Sequence, residues 1–419
     1  MGVFLALFLA VTVKQDQAPL RAGCAADSTL VASLAAGTPL TLRYAMAGES
    51  MPCYKVAADA NGKHFEGYLP ASAIDGLNSF EQGRREASWV STTEALSAAR
   101  SAQPMSELTA SSTTNTSKND SAPDRATRIL VAQASALIEG NQPGKALALL
   151  EPEVKKHKNP TLLAIAGVAA WRADDGRHAL EYWHESLDLE PNPGIEKLYK
   201  QVEREQSNDQ SAEKLYGVRV TLRYDRATVP AETARLMVAQ VDSTFAQVSA
   251  QLGCTADEKI MTIVQSRDAY RKATDAAEWN GGQYDGRIRV PVMNGQSMDA
   301  SMQRVLAHET THACLTMLGE WPVWLQEGLA QKLSGDALAP AVRAKLTAMA
   351  AEGKLPRLEN LRHDWSGLDS EHATLAYALA LAAVELMYDN YGNDGVRNLM
   401  RNPERLPAIS AYLDKQLGL

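Results

Sequence analysis

The sequence predicts a multidomain protein of α+β character. Its 419 residues exceed what a single hydrophobic core normally accommodates. The pattern also changes twice along the chain: short strand-like runs extend to residue 75, a helical repeat follows at residues 124–209, and strands then helices fill residues 212–419. The composition, 45% hydrophobic and 22% charged, is typical of globular domains.

The net charge of −8 excludes some classes of partner. A nucleic-acid binder needs a basic face, so we expect no nucleic-acid partner. An anionic membrane surface would call for a polybasic segment, and the sequence contains no such patch. The apolar stretch Val3–Val13 is too short to cross a bilayer, and no transmembrane span is therefore expected.

The first 13 residues admit two interpretations. Val3–Val13 resembles the apolar core of a secretory signal whose basic start is missing, and it equally fits a buried strand. We favour export, which predicts a periplasmic or secreted protein; the alternative is a cytoplasmic one. Cys24 and Cys53 can pair in an oxidising compartment.

Residues 14–75 read as a small all-β module. Asn61-Gly62 is a hairpin signal between two strand-like runs. The predicted strands have the sequences TLVASL, PLTLRYAM, CYKVAAD and FEGYLP. Together with Ala36-Gly37-Thr38 and Gly67-Tyr68-Leu69, they resemble a bacterial SH3-like barrel, which implies a cell-wall or protein partner.

A linker is predicted over residues 76–123, because its Ser/Thr/Asn-rich second half lacks apolar periodicity. Beyond it, the segment from Ala146 to Pro160 recurs with the same internal spacing from Ala179 to Pro193. The recurrence resembles tetratricopeptide repeats, which imply either a partner-binding groove or a spacer. A plain pair of helical hairpins is the alternative.

The remaining part, residues 212–419, begins with strands and continues with helices. Apolar alternation predicts a strand over Tyr216–Tyr224, and helical periodicity predicts a helix over Ala231–Leu252. Ile260–Val264 and Arg287–Val292 are apolar enough for buried strands. The second of these follows several glycines, so it is a candidate edge strand for binding an extended peptide.

One motif in this part is typical of metal chemistry. His308-Glu309-Thr310-Thr311-His312 fits H-E-x-x-H, in which two histidines one helical turn apart can bind the same ion. Glu309, next to the first histidine, is placed to take a proton from the attacking water. The alternative is a surface helix with two incidental histidines.

A second motif follows a short way beyond the second histidine. Pro322 begins the stretch PVWLQEGLA, in which Pro322 suits the first turn of a helix and Glu327 is the acid. The two motifs together resemble gluzincin metallopeptidases of the bacterial peptidase MA-like type. The resemblance covers residues 212–419 and implies a zincin-type α+β domain, a Zn²⁺ ion held by His308, His312 and Glu327, and Glu309 as general base.

The outer part of the site is less specific in sequence. A peptidase of this kind must stabilise an oxyanion, and Tyr377 on an apolar helix is the first candidate, with His372 the second and a core tyrosine the alternative. Gln331 can hydrogen-bond a ligand histidine or simply lie on the surface. Cys314 points away from the metal and is expected in the core.

These features predict a zinc-dependent peptidase that acts on peptide or protein substrates through metal-activated water. The alternative is a non-catalytic scaffold that binds cell wall or protein and carries a degenerate metallopeptidase domain. Glu309 favours the enzyme, since a purely structural site needs no base.

Overall fold

The computed structural model has a mixed α/β fold, with small sheets towards the N-terminus and mostly helices later. The structure describes residues 11–23, 28–46, 53–60, 62–77, 92–101, 122–208, 212–274, 282–292, 297–361, 365 and 370–419. The chain divides into two compact units, of which one comprises residues 89–275 and 282–320, and the other residues 1–88, 276–281 and 321–419.

The N-terminal region is built from antiparallel strands. Five of them form one sheet in the order β3-β2-β6-β5-β4, and β1 pairs with β7. The strands are β1 Thr12–Val13, β2 Ala18–Arg21, β3 Leu30–Leu34, β4 Leu40–Met46, β5 Cys53–Ala60, β6 Lys63–Pro70 and β7 Ile74–Asp75. Their inward side chains, among them Leu20, Leu34, Val56 and Leu69, form a core of their own.

The four predicted strands of this module occur as β3 to β6, the strand-like run Val11–Val13 just before it contains β1, and β2 and β7 are additional strands. The hairpin β5–β6 turns at Gly62, whose φ of 70° requires glycine-like freedom. Thr12–Val13 pairs with Ile74–Asp75, so the strand-forming part begins inside the segment interpreted as a signal. Residues 1–10 and Cys24 lie outside the described residues, so the pairing of Cys24 with Cys53 stays a prediction.

In the part of the chain that the structure describes, six helices precede the second sheet and pack around one apolar core. They are α1 Thr92–Arg100, α2 Ala122–Glu139, α3 Pro143–Lys156, α4 Pro160–Arg172, α5 Gly176–Leu189 and α6 Pro193–Asn208. The helix starts repeat with one period, because α5 begins as far beyond α3 as α6 begins beyond α4. Asn159 and Asn192 are equivalent caps: each accepts a hydrogen bond at 3.1 Å from the backbone N–H three residues later.

The linker predicted over residues 76–123 needs correcting, because α1 lies within it. Ala95, Leu96 and Ala99 are fully buried in the core of the helical stack. Their spacing of i, i+1 and i+4 places all three on one face of a short helix, a pattern too brief to stand out in the sequence. The flanking segments 78–91 and 102–121 lie outside the described residues.

The second sheet follows directly and belongs to the same unit. Its order is β11-β12-β10-β9-β8, with the three central strands parallel and the two outer strands antiparallel to their neighbours. The elements are β8 Ala212–Tyr216, β9 Val220–Asp225, α7 Ala231–Leu252, β10 Ile260–Ser266, α8 Arg267–Thr274, β11 Gln283–Tyr284, β12 Ile288–Val292 and α9 Ala300–Leu318. The boundary predicted between residues 209 and 212 therefore separates no compact units.

Two sequence predictions in this sheet differ from the structure. The strand predicted over Tyr216–Tyr224 is a hairpin of β8 and β9, whose turn is held by Asp242 and exposes 80% of Val218. The candidate edge strand corresponds to β12. At Ile288 and Arg289 it does not lie at the edge of the sheet, because β11 pairs with it there. The helix over Ala231–Leu252 is confirmed at both ends.

The C-terminal part is helical. Its helices are α10 Val323–Leu333, α11 Pro340–Ala351, α12 Ser370–Arg401, which breaks at Gly392, and α13 Leu406–Leu417. Within the described residues, none of the helices has both the length and the apolarity that crossing a bilayer requires.

Candidate metal centre

Helix α9 carries the H-E-x-x-H motif. Asp299 caps its start by accepting a hydrogen bond from the Met302 N–H at 2.8 Å, and the helix ends before Gly319, whose φ is 128°. The four-residue spacing brings His308 and His312 to the same face, and their Nε2 atoms are 3.1 Å apart. The predicted helix is therefore present, with both imidazoles pointing the same way.

The distance between the two imidazole nitrogens fits a shared ion. Two nitrogen ligands at about 2.05 Å from a tetrahedral zinc lie about 3.3 Å apart. The Nε2 atoms of His308 and His312 are within a few tenths of an ångström of that value. His308 is buried, and its ring meets that of His312 edge to face, with centroids 4.8 Å apart.

Helix α9 is anchored on its inner side. Thr310 and Thr311, between the two histidines, are fully buried, and each donates its hydroxyl to the carbonyl four residues back, at 2.6 and 2.9 Å. Cys314 forms a disulfide with Cys254, just beyond the end of α7. Cys314 is thus a core residue, as expected, and the sequence had left its partner open.

Glu309 is buried, with 7% of its surface exposed, and it lies against the backbone of Gly282. A Cβ atom at residue 282 would come 3.0 Å from Glu309 Oε1 and 2.9 Å from Val305 Cγ1. The glycine therefore leaves the space that the carboxylate occupies, a role that the run of glycines did not reveal in sequence.

Tyr270 is a second neighbour of Glu309 that sequence reasoning missed. The Tyr270 hydroxyl, on α8, is buried and lies 3.2 Å from Gln283 Oε1. Burial raises the pKa of Tyr270, and the charge of Glu309 raises it further, so the phenol stays protonated. Nothing in the sequence distinguishes Tyr270 from an ordinary core tyrosine.

Glu327 lies on α10, which begins soon after the end of α9. Pro322 is the N-cap of this helix rather than its first residue. Next to the acid, a Cβ atom on Gly328 would lie 2.5 Å from the Ala380 carbonyl oxygen. The glycine of the E-G pair thus allows α10 to pack closely against α12.

Gln331 is buried and connects two backbones. Its Nε2 donates to the carbonyl oxygens of Glu327 and Tyr377, both at 3.2 Å. The bond to Glu327 lies within α10, and the bond to Tyr377 holds α10 against α12. They give Gln331 a structural role instead of the surface position considered from the sequence.

Tyr377 and His372 both lie on α12. The Tyr377 ring is half-buried and packs edge to face on Trp365, with centroids 5.0 Å apart. His372 is exposed near the start of the helix. The assignment of an oxyanion stabiliser, Tyr377 or His372, stays a prediction.

The three predicted ligands form one group. One ligand atom each from His308, His312 and Glu327 can be chosen so that all lie within 4.8 Å of one another. Two imidazole nitrogens and a carboxylate oxygen at this separation can hold a divalent metal ion.

A second buried polar cluster lies in the same unit as α9. Glu205 accepts hydrogen bonds from Arg223 at 2.7 Å, Arg289 at 2.8 Å and Arg287 at 3.3 Å. Asp285 accepts from Arg289 Nε at 2.8 Å. Burial alone would raise the pKa of Glu205, but the three guanidinium groups outweigh burial and hold this pKa well below its ordinary value. Asp174 pairs with Arg223 at 3.0 Å, so three carboxylates offset the charges of the three guanidinium groups.

Comparison with known protein-family models and with curated proteins finds no match for this chain.

Proposed function

We propose that this protein is a zinc-dependent peptidase whose metal is held by His308, His312 and Glu327. The observation that carries the proposal is the grouping of these three residues, with the buried carboxylate of Glu309 directly following the first ligand. A structural site would need a fourth protein ligand, whereas three ligands leave one position for water.

Zinc is the proposed ion because of the donor set. Two imidazoles and one carboxylate are a common set for catalytic zinc, and the 3.1 Å separation of the imidazole nitrogens suits tetrahedral geometry. The resemblance of HETTH and WLQEGLA to gluzincin peptidases supports the same choice, and with it a zincin-type domain over residues 212–419.

When bound, such an ion polarises the substrate carbonyl and lowers the pKa of a water molecule. Glu309 takes the proton of this water as its oxygen attacks the carbonyl carbon. The carboxyl group then gives the proton to the amide nitrogen as the C–N bond breaks, which releases an amine and a carboxylate. Gly282 keeps the Glu309 side chain in place, because any larger residue would displace it.

Tyr377 is the proposed stabiliser of the oxyanion, with His372 as the alternative. A phenol held on a rigid helix can donate a hydrogen bond to the developing negative charge. The packing of the Tyr377 ring on Trp365 and the bond from Gln331 to the Tyr377 carbonyl restrict the position of this residue.

The proposed location is the periplasm or the exterior. The disulfide between Cys254 and Cys314 supports it, because structural disulfides persist in oxidising compartments. The strands over residues 12–75 are proposed to form an SH3-like module that binds cell wall or a protein, while the helices over 124–209 are proposed as tetratricopeptide-like.

The experiment compares hydrolysis of casein and of a quenched fluorescent peptide library by wild type and by Glu309→Gln, at equal zinc content. Because general-base catalysis contributes about 10²–10⁴-fold, the variant should lose at least about 100-fold in kcat/KM. Full activity in Glu309→Gln would exclude the mechanism. A zinc-loaded wild type that cleaves nothing would instead favour a non-catalytic scaffold.

A further inference from the structure

The segment beside the proposed general base is a short hairpin, residues 282–292, which we name the β11–β12 hairpin. Strand β11 is only Gln283 and Tyr284, and it lies at the edge of the second sheet, where it pairs with β12. Gly282, directly before β11, has its backbone against the carboxylate of Glu309. Since a hairpin alone is at best marginally stable, packing against other elements must fix its position.

One of these elements is the helical stack, through Arg172 at the end of α4. A Cβ atom on Gly286, in the turn of the hairpin, would lie 2.0 Å from Arg172 Cζ, 2.2 Å from Nε and 2.3 Å from Nη1. The face of the guanidinium group therefore packs directly on the backbone of the turn. The φ of Gly286 is 97°, so both the contact and the turn require glycine.

The stack holds the guanidinium group from the other side. Arg172 is only 2% exposed, and it donates from Nη2 to Asn141 Oδ1 at 3.1 Å and from Nη1 to the Ile138 carbonyl oxygen at 3.5 Å. The preceding residue of α4, Trp171, also contacts the hairpin: Arg287 Cζ lies 4.4 Å from the centroid of its ring. Arg172 thus links the turn between α2 and α3 to the turn between β11 and β12.

Tyr284 lies between this arginine and the helix of the metal site. Its hydroxyl is buried. Burial raises the pKa of Tyr284, whereas the charge of the Arg172 guanidinium and the hydroxyl of Thr316 lower it, so both groups lie beside the phenol. Thr316, on α9, donates its hydroxyl to the His312 carbonyl oxygen at 3.0 Å. Strand β11 is therefore enclosed between the stack and α9.

We propose that Arg172 is a positioning residue of the peptidase: it connects the helical stack to the β11–β12 hairpin and so keeps Gly282 against the carboxylate of Glu309. All of these residues belong to one compact unit. The inference rests on the proposed function and adds to it, because it makes the helical stack part of the catalytic machinery.

The first measurement is hydrogen exchange of the full chain, read by mass spectrometry, for wild type, Arg172→Lys and Arg177→Lys. Lysine keeps the charge of Arg172 but lacks the planar group that packs on Gly286. In Arg172→Lys, amides of residues 282–292 should exchange at least about 10-fold faster through local opening, while those of α7 keep their wild-type rates. Arg177, on α5 of the same stack, forms an exposed pair with Glu181, so the control should change neither region.

The second measurement is peptide hydrolysis at equal zinc content. Arg172→Lys should lower kcat at least about 10-fold, because a misplacement of about 1 Å can cost about 100-fold. KM and zinc affinity should stay near wild type, since the base acts only in the transition state. In the background of Glu309→Gln, the same substitution should have no further effect, because the group that it positions is already removed. A purely structural role would lower kcat by the same factor in both backgrounds.

The proposal is overturned if folded Arg172→Lys exchanges residues 282–292 at the wild-type rate, or if kcat falls equally in both backgrounds. If circular dichroism shows that Arg172→Lys is unfolded, Asn141→Gly decides. It removes the acceptor of Arg172 Nη2, and glycine adopts the φ of 56° freely. Exchange in the hairpin should then rise at least about 3-fold, and wild-type exchange would overturn the proposal. A wild type without peptidase activity would refute the proposed function alone, since the exchange comparison needs no turnover.

Discussion

Two polar groups of this protein, one fully buried and the other partly buried, differ in how their charges are compensated. Around Glu205, every carboxylate faces a guanidinium group, so the chain itself supplies the counter-charges. The group of His308, His312 and Glu327 is made of electron-pair donors only. Charge burial is costly unless it is compensated. Pairs of carboxylate and guanidinium groups, as around Glu205, are typical of a structural ion cluster. Nitrogen and oxygen donors alone, as in the group of the two histidines and Glu327, are typical of a cation site.

The comparison also explains what each group does for the fold. The Glu205 cluster joins the last repeated helix, α6, to strands β9 and β12, so the repeat and the sheet form one unit. Both histidines lie on α9. The buried threonines of this helix and its disulfide from Cys314 to Cys254 fix the position of the helix. Replacing a residue of the Glu205 cluster should therefore lower the free energy of unfolding. Replacing His308, His312 or Glu327 should weaken metal binding.

The largest expected effect comes from breaking the ion cluster. Glu205→Gln leaves three arginines without their shared carboxylate and should destabilise the protein by about 3–5 kcal/mol. Urea denaturation of both proteins measures this free energy. The control is Lys145→Ala, which removes an exposed ion pair with Asp257 and should cost no more than about 1 kcal/mol. Equal, small losses in both variants would show that the cluster contributes little.

The second effect is stabilisation by metal. Zinc at about 100 times its dissociation constant should stabilise wild type by about 2.7 kcal/mol, because it binds the folded chain. Thermal unfolding with and without zinc or a chelator measures the change. His308→Ala should show no such shift, while Glu205→Gln should keep it. A zinc-dependent shift in His308→Ala would place the ion elsewhere.

A third prediction concerns acid. The pKa of Glu205 is lowered in the folded state. The ionised carboxylate therefore contributes its full stabilisation of the fold above the ordinary pKa of 4.5, and this stabilisation is lost progressively as the pH falls below 4.5. Between pH 6 and pH 3 wild type should lose about 2 kcal/mol more stability than Glu205→Gln. Parallel pH–stability curves for the two proteins would argue that Glu205 is not ionised in the cluster.

The smallest effect tests the surroundings of the proposed base. Gly282→Ala brings a Cβ atom to 3.0 Å from Glu309 Oε1 and should reduce kcat/KM by about 10-fold, or about 1.4 kcal/mol. Zinc content and unfolding free energy should stay near wild type. Gly353→Ala, where nothing lies within 4 Å of the added atom but φ is 66°, is a control for stability: backbone strain should cost about 1–2 kcal/mol and leave kcat/KM unchanged. Unchanged activity in Gly282→Ala would show that the carboxylate tolerates displacement.

Local patterns in the sequence predicted much of this structure. The periodicity of Ala231–Leu252 defined a helix at both ends, and the recurrence of the Ala146–Pro160 segment matched the period of the helix starts. The spacing of the two histidines predicted that they share one face of a helix. The resemblance of the second motif added Glu327, and the structure brings a ligand atom of each of the three residues within 4.8 Å of the others. Contacts between distant segments were not predictable: Tyr270 near Glu309, the pairing of Cys254 with Cys314, and the docking of α1 all depend on tertiary packing.

The central claim is that His308, His312 and Glu327 together hold one metal ion. The most direct measurement is zinc stoichiometry and affinity, by elemental analysis and calorimetry, for wild type and single alanine variants of the three residues. Wild type and Glu309→Gln should each bind one ion per chain, and each ligand variant should lose at least about 10-fold in affinity. Wild-type affinity in Glu327→Ala would contradict the three-residue centre.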